Sequence, residues 1–596
     1  MTASPQEGAP IEEVGEVATQ PIVLGPPAFQ HPVSRERRLF LLLPIFIGIL
    51  SGLLVVCFRI SIEWLRLGLL GKYLHPGDWR LIAVPTLFGT AVAFLVEFVF
   101  PASRGSGINQ TKAAMYIHDG YISLRTMVGK FICAALALGG GFSLGPEDPS
   151  LQIGAAVSST VSRRFRLPAE HLRLFAPVGA AAGLAAAFNA PITALLFVIE
   201  EIVGNWNASV LGSLILAAIA GDAVSRWFFG DEPLFRVPTL ELRDPRELLA
   251  YATLGIAGGL AALLFAWTLR QLRQRQAGLP RWAKLVRPPV AGALIGLIGF
   301  LGFPQVMGVG YETINQAIGG GMGWKLLLAL AGLKMLATTL GFSSGTPGGM
   351  FAPTLFIGAM LGTAIGSIQQ TWLPHLTGPI GSYTLAGMGV LFAAFLRAPL
   401  TSVFMVLEVS GNYSIVAPVI LANTIAYLIA RKFDPVPIFE AFTRQDGLDL
   451  PSMEEQREEE RLHIEDALDM ADSPGQSHIP ILPASLRFRE ALDAAAASPH
   501  EDGAVMIHFP DGSGYALGGA ELERLGMAAS PETAVGDLIP EERLPMLYPD
   551  MPLDATLHYF GRWPALLVRN RARATAVEGV LTEARVLECF RQHRHE

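Results

Sequence analysis

Apolar runs occupy most of the chain between residues 39 and 430. The first, LFLLLPIFIGILSGLLVVCFRISIEWLRLGLL from Leu39 to about Leu70, exceeds the ~20 residues needed to cross hydrocarbon, so a long or tilted helix is expected there. Further runs follow at 80–100, 124–140, 171–203, 208–228, 247–271, 287–303, 325–341, 351–368, 385–409 and 415–430. Several are too short or too glycine-broken to span. Such segments re-enter or end at mid-membrane depth, where their backbone groups must face a polar cavity rather than lipid. The pattern predicts an all-α polytopic membrane domain with a permeation path.

The runs also repeat. LAAAFNAPITALLFVIE, Leu184 to Glu200, aligns without gaps on FAAFLRAPLTSVFMVLE, Phe392 to Glu408, at an offset of 208, with seven of seventeen positions identical. At an offset of 204, EDPSLQIGA from Glu147 falls on FAPTLFIGA from Phe351, each after a GFS-x-G turn. Two related halves, about 38–230 and 245–440, are therefore expected, and a substrate site is expected where they meet.

After about Asp434 charge rises and long apolar runs stop. An acidic linker is expected at 441–478 and a twofold soluble domain at 479–596. There LRFREALDAAAAS reads as a helix, GAVMIHF and YALGG as strands around the turn PDGSG, and AELERLG as a helix; LDATLHYFGR, PALLV, VEGVLT and EARVLECFR repeat that order.

Composition agrees with this division. Of 596 residues 51% are hydrophobic and 16% charged, with 62 glycines and 42 prolines, too apolar for an ordinary soluble protein. The net charge of -8 comes from acids in the N-terminal tail and in the segment from Ser452 to Asp472. Residues 1–37 read as a disordered tail without a signal peptide, and Arg35, Arg37 and Arg38 before the first run place the N-terminus in the cytoplasm. Cys57, Cys133 and Cys589 form no CxxC pair, so neither a disulfide framework nor a metal site is expected. HExxH, GxSxG and P-loop motifs are absent and the histidines, among them His31, His118 and His171, are scattered, so the chain does not read as an enzyme.

The remaining polar residues of the membrane runs carry the functional reading. A carboxylate at mid-membrane depth costs ~2.5 kcal/mol or more, so such groups line a pathway, pair or stay protonated. Glu147 and Asp148 lie in GFSLGPEDPSLQIGA between Pro146 and Pro149, which suit the first turn of a helix whose N-terminus points into the protein. FAPTLFIGAMLGT begins the same way after GTPGGM, and GSGINQ, Gly105 to Gln110, precedes a third short helix. Three glycine-rich turns ending in helix N-termini would cradle an anion; the same glycines could instead serve close helix packing. Glu147 would be gate and proton acceptor, ionised in the anion's place and swinging away when protonated. Glu200 repeats as Glu408 whereas its neighbour Glu201 faces Val409, so Glu201 reads either as functional or as a solvated helix end.

Together GSGINQ, GPEDP, FNAPITALLFVIEE and GGMFAP resemble the CLC family of chloride channels and chloride/proton antiporters over about 38–440. The soluble half resembles a degenerate pair of CBS domains, such as many CLC proteins carry. The resemblance implies an inverted-repeat membrane fold with a cytoplasmic α/β CBS pair, bacterial inner-membrane location with both termini cytoplasmic, and a homodimer with one anion pathway per subunit. Nucleic acid is not an expected partner; the bilayer, chloride and protons are. Ser106 falls on the family's anion-coordinating serine, with Gly107 and Ile108 beside it; Met350 and Phe351 supply backbone amides to the central anion; Glu147 is the gating glutamate; Glu201 is the internal proton-transfer glutamate, which favours an antiporter over a passive channel.

Three departures stand out. The family's G-[KR]-E-G-P is G-P-E-D-P, so Pro146 and Asp148 modify the anion site, Pro146 by removing a charge and a donor and Asp148 by adding an acid. The pore-facing tyrosine falls on Phe439, which lacks the hydroxyl. In GVLTEAR, Arg585 stands where nucleotide-binding CBS modules carry an acid, so no cofactor is expected and the pair is expected to brace the dimer; the alternative is an adenine nucleotide whose phosphate meets the arginine.

Overall fold

The structure, a computed structural model, describes residues 34–593 apart from 73, 168, 205–207, 236–244, 281, 375–376, 448–449, 451–461, 469–478, 498–503, 512, 529, 541–542 and 572–575. The expected tail up to residue 33, with His31, and most of the acidic segment from Ser452 to Asp472 lie outside the described residues.

The apolar runs fold into helices that appear twice in the same order. The first half holds α1 (Ser34–Leu70), α2 (Arg80–Phe94), α3 (Ile108–Ile117), α4 (Leu124–Gly139), α5 (Glu147–Arg164), α6 (Ala169–Phe188), α7 (Pro191–Phe197) and α8 (Ala208–Phe229). The second holds α9 (Glu247–Ala277), α10 (Ala283–Phe300), α11 (Tyr311–Ile318), α12 (Trp324–Ser343), α13 (Phe351–Trp372), α14 (Ile380–Leu396), α15 (Pro399–Ser410) and α16 (Val416–Phe433), followed by α17 (Ile438–Gln445). Among the described residues eight helical stretches are long and apolar enough to cross a membrane. α1 starts three residues before the expected end of the tail, and α17 runs through the expected domain boundary at 440.

The repeated sequence breaks at matching places. α6 and α14 stop where Asn189 and Arg397, 208 residues apart, take left-handed φ values of 55° and 63°, and Pro191 and Pro399 then start α7 and α15. Each new helix exposes N–H groups that lipid cannot satisfy. Glu200 accepts hydrogen bonds from the N–H of Leu400 and Thr401 at 3.2 and 2.8 Å. Glu408 accepts them from Ile192 and Thr193 at 2.9 and 2.7 Å. Each half thus caps the other's broken helix, a reciprocity that a two-fold relation between the halves requires.

Glycine lets the paired helices meet backbone to backbone. A Cβ on Gly154 of α5 would lie 2.1 Å from the carbonyl oxygen of Gly179 on α6, and one on Gly358 of α13 would lie 2.2 Å from that of Gly387 on α14. α5 and α13 are thereby fixed at the centre of the main core, where Glu147, Asp148, Met350 and Phe351 are all fully buried.

The C-terminal region has its own core. Strand β1 (Ile481–Pro483) pairs parallel with β2 (Val505–His508), which pairs antiparallel with β3 (Gly514–Leu517); β4 (Ala565–Arg569) pairs antiparallel with β5 (Val577–Thr582). A parallel bridge from Leu547 to Val568 stands where a counterpart of β1 would be. Leu462, Ile464 and Ala467, expected in the linker, pack into this core because they are the apolar residues of a short helix, Ile464–Leu468, and its approach. In the β2–β3 turn the Ser513 N–H and hydroxyl donate to Asp511, holding its carboxyl below the usual range.

Gly154→Ala and Gly358→Ala are each expected to destabilise the membrane domain by about 1–3 kcal/mol through forced separation of helices, despite alanine's better helix propensity. Gly332→Ala, with nothing within 4 Å of its Cβ position, is the control. Thermal unfolding followed by size-exclusion fluorescence should lower the melting temperature of the first two alone.

Candidate anion site between the repeats

Two glycine turns from different halves pair at the centre. Gly145 N–H donates to the Gly349 carbonyl at 2.8 Å and Gly349 N–H returns the bond at 2.7 Å, an antiparallel bridge that sets the N-terminus of α5 against that of α13. The unsatisfied N–H groups and helix dipoles of both termini, each dipole equivalent to about half a charge, converge there. α5 and α13 begin at two of the three glycine-rich turns that the sequence marked as helix starts.

Glu147 lies in the first turn of α5. Its Oε1 accepts a hydrogen bond from the Tyr311 hydroxyl. Its Oε2 lies only 2.1 Å from where a Cβ on Gly145 would be, a point itself 3.1 Å from the Ala352 N. The carboxylate therefore covers the start of α13, held by a phenol from the other half. Asp148 turns elsewhere: its Oδ2 accepts from the Met350 N–H at 3.3 Å. Pro146 is the N-cap residue of α5, and its carbonyl accepts from the Ser150 N–H.

The third turn arrives from α3. Gly107 has φ 117°, a left-handed conformation open to glycine, and the Ile108 N–H donates to the buried Ser106 hydroxyl at 3.3 Å. The backbone packs tightly here, since a Cβ on Gly107 would meet the Gln152 side chain at 2.8 Å. Phe439 on α17 is buried, and its carbonyl accepts from Asn109 of α3 at 3.0 Å. Phe351 sits among Phe188, Phe197 and Phe392 with ring centroids 4.5–5.7 Å away.

Glu201 is buried rather than solvated at a helix end. It pairs with Lys112 of α3 at 3.6 Å, both side chains less than a tenth exposed. It lies in a π-helical turn, Val198–Val203, which widens the helix after α7. The asymmetry noted in the sequence has a structural counterpart: Glu200 caps α15 while Glu201 faces a lysine.

Three residues absent from the sequence reading organise this site. Lys130 and Lys334, 204 residues apart on α4 and α12, are fully buried. Lys130 donates to the Gly105 carbonyl at 2.8 Å, and Lys334 donates to those of Gly308 and Val306 at 2.6 and 3.0 Å. Each lysine clamps a G-x-G turn, GSG ahead of α3 and GVG ahead of α11, and the second turn delivers Tyr311 to Glu147. The usable signal was a lysine in the interior of each of two apolar runs, at matching places 204 residues apart.

A cavity of about 470 Å³ opens onto Ser106 and Asn109 and is lined by Arg104, Arg273, Lys284 and Arg287. Arg104 pairs with Glu97 at 2.7 Å and Arg273 with Asp446 at 2.5 Å. Among the described residues Asn109 Oδ1, Gln110 Oε1 and Ser343 Oγ at its wall are buried without hydrogen-bond partners, so it is a polar chamber. No cluster of metal-ligating side chains occurs among the described residues.

A family model for voltage gated chloride channels matches residues 88–431, more than half of the chain. The chain belongs to that family. Membrane anion transport, not enzymatic turnover, is therefore its activity, and its helices make it a multi-pass membrane protein. The fold is similar to that of a slow cyanobacterial Cl−/H+ antiporter, with 24% identity, 70% of this chain and 98% of that chain covered, and a TM-score of 0.63. A CLC-type fluoride/proton antiporter gives 22% identity, 69% and 99% coverage and a TM-score of 0.58. A eukaryotic CLC transporter gives 18% identity, 92% and 98% coverage and a TM-score of 0.59.

Tyr311→Phe removes a neutral donor to a buried carboxylate, a bond worth about 1.5–3 kcal/mol when one partner is charged. Loss of this hold on Glu147 should speed anion efflux from liposomes at neutral pH by about tenfold. In a Glu147→Gln background the same substitution should change the rate little, a non-additivity that a double-mutant cycle reads directly.

Proposed function

We propose that the protein is a chloride/proton antiporter in which Glu147 is the gate and Glu201 the internal proton-transfer group. The observation that carries this reading is the placement of the Glu147 carboxylate between the Tyr311 hydroxyl and the N-terminus of α13, where an anion would otherwise meet the same donors. An ionised carboxylate and a halide compete for such N–H groups, so protonation of Glu147 and anion entry are exchangeable events. Ser106, Gly107, Ile108, Met350 and Phe351 form the anion's surroundings on this reading, and Phe439 closes them without the hydroxyl that a tyrosine would bring. The serine at 106 favours chloride.

A buried carboxylate beside Lys112 supports the proton path, because a charge that can be neutralised by an ion pair or by a proton is a usable relay. The same reading places both termini in the cytoplasm, pairs two copies each with its own pathway, and takes 479–596 as a degenerate CBS pair that braces the dimer without adenine nucleotide. The order strand, helix, two antiparallel strands, helix across 481–528 supports the CBS assignment.

Purified protein in liposomes, with a chloride gradient, no proton gradient and the voltage clamped by an ionophore, should move protons against chloride. Glu201→Gln should abolish the proton movement while chloride flux persists, and Glu147→Gln should weaken the dependence of flux on pH. Chloride flux without proton movement in the unmodified protein would replace the antiporter by a passive chloride channel.

A further inference from the structure

The partner of Asp148 is unexpected on the proposed reading. The added acid, read from the sequence as a charge at the outer part of the site, instead sits on the Met350 N–H, one of the two amides assigned to the central anion. Asp148 is fully buried, and a Cβ on Gly349 would lie 2.6 Å from its Oδ1, so the carboxylate rests on the backbone of the turn before α13. Among the described residues Oδ1 has no hydrogen-bond partner. A buried carboxylate that satisfies one oxygen with one 3.3 Å contact is poorly solvated for a permanent structural charge.

Its charged neighbours are few. Glu147 precedes it on α5, and Lys130 of α4 acts on it electrostatically while bonding the Gly105 carbonyl. Other cations on helices packed against α5 are engaged elsewhere: Arg59 of α1 donates to Ala186 and Ser225, Lys112 of α3 pairs with Glu201, and Arg173 of α6 donates to Met115. α13 carries no charged residue.

We propose that Asp148 is a second tethered carboxylate, which fills the Met350 amide in place of the central anion and must take up a proton to yield it. The step balances simply. An anion arriving at Met350 displaces the carboxylate, which accepts one proton from solution, so the site exchanges one negative charge for another; on anion release the proton leaves and Asp148 returns to the amide. The inference rests on the chloride reading above and adds a proton-linked group to it.

The test uses the full chain in detergent with chloride as the probe, in a background of Glu147→Gln and Glu201→Gln so that both other acids are silent. Calorimetric titration in two buffers of different ionisation enthalpy should report uptake of close to one proton per chloride near neutral pH. Adding Asp148→Asn should remove that uptake, and adding Asp148→Gly should tighten chloride binding about tenfold or more by releasing the amide. Chloride binding without proton uptake in the double variant, which needs no change at Asp148, overturns the inference and leaves the chloride reading standing. No chloride binding by the double variant or by the unmodified protein overturns both.

Discussion

A helix that ends inside a bilayer leaves N–H groups with no water to bond, and the architecture of this protein answers that constraint. The ends are distributed over two repeats so that each repeat supplies the other's missing partners. Glu200 and Glu408 close α15 and α7 reciprocally, and the Gly145–Gly349 bridge joins the turns before α5 and α13. What these caps leave over is the pair of N-termini at α5 and α13. Their partners there are Glu147 and Asp148, first-turn side chains of α5 that lie over the start of α13. On the proposed reading, the anion site is the part of the capping problem that is met by groups able to leave.

Charge balance explains why acids can be tolerated in such a place. Lys130 and Lys334 are buried on opposite sides of the repeat relation, and each spends its hydrogen bonds on carbonyls of a G-x-G turn. They satisfy inward-facing carbonyls and also set two amines within electrostatic reach of the two carboxylates, Lys130 of Asp148 and Lys334 of Glu147, in a medium where Coulomb forces are weakly screened. A monovalent anion that replaces one carboxylate leaves that balance unchanged, provided the displaced acid takes a proton. On the antiporter reading, anion movement and proton movement are linked through this exchange before any particular relay is invoked.

Much of this was legible in the chain. The 208-residue offset marks Asn189 and Arg397, Pro191 and Pro399, and Glu200 and Glu408, and the structure uses every one of those pairs. The turns before α5, α13 and α3 were likewise readable, because glycine and proline punctuate helix starts in a recognisable way. Tyr311 was not, since its GVG turn gains meaning only when folding brings it against a carboxylate 164 positions away. The target of Asp148 was hidden for a related reason: adjacent acids on one helix start point in different directions, and sequence gives their neighbourhood without their rotamers. The lysines escaped because a single charge in an apolar run attracts notice only when its counterpart in the other repeat is checked.

The polar cavity beside Ser106 supplies what the inner site lacks. Phe439 brings no hydroxyl, and the Met350 N–H already has an acceptor, so short-range donors for an inner anion are fewer than the helix ends alone would offer. Lys284 and Arg287 at the cavity wall, with Arg104 and Arg273 in ion pairs beside them, provide attraction at longer range. A field of that kind raises the local anion concentration without adding a tight ligand, and low-dielectric walls concentrate it. On the proposed reading, capture is set by the cavity and release by the tethered carboxylates, a division that would let a weakly held anion pass through a site whose own strongest binders are its acids.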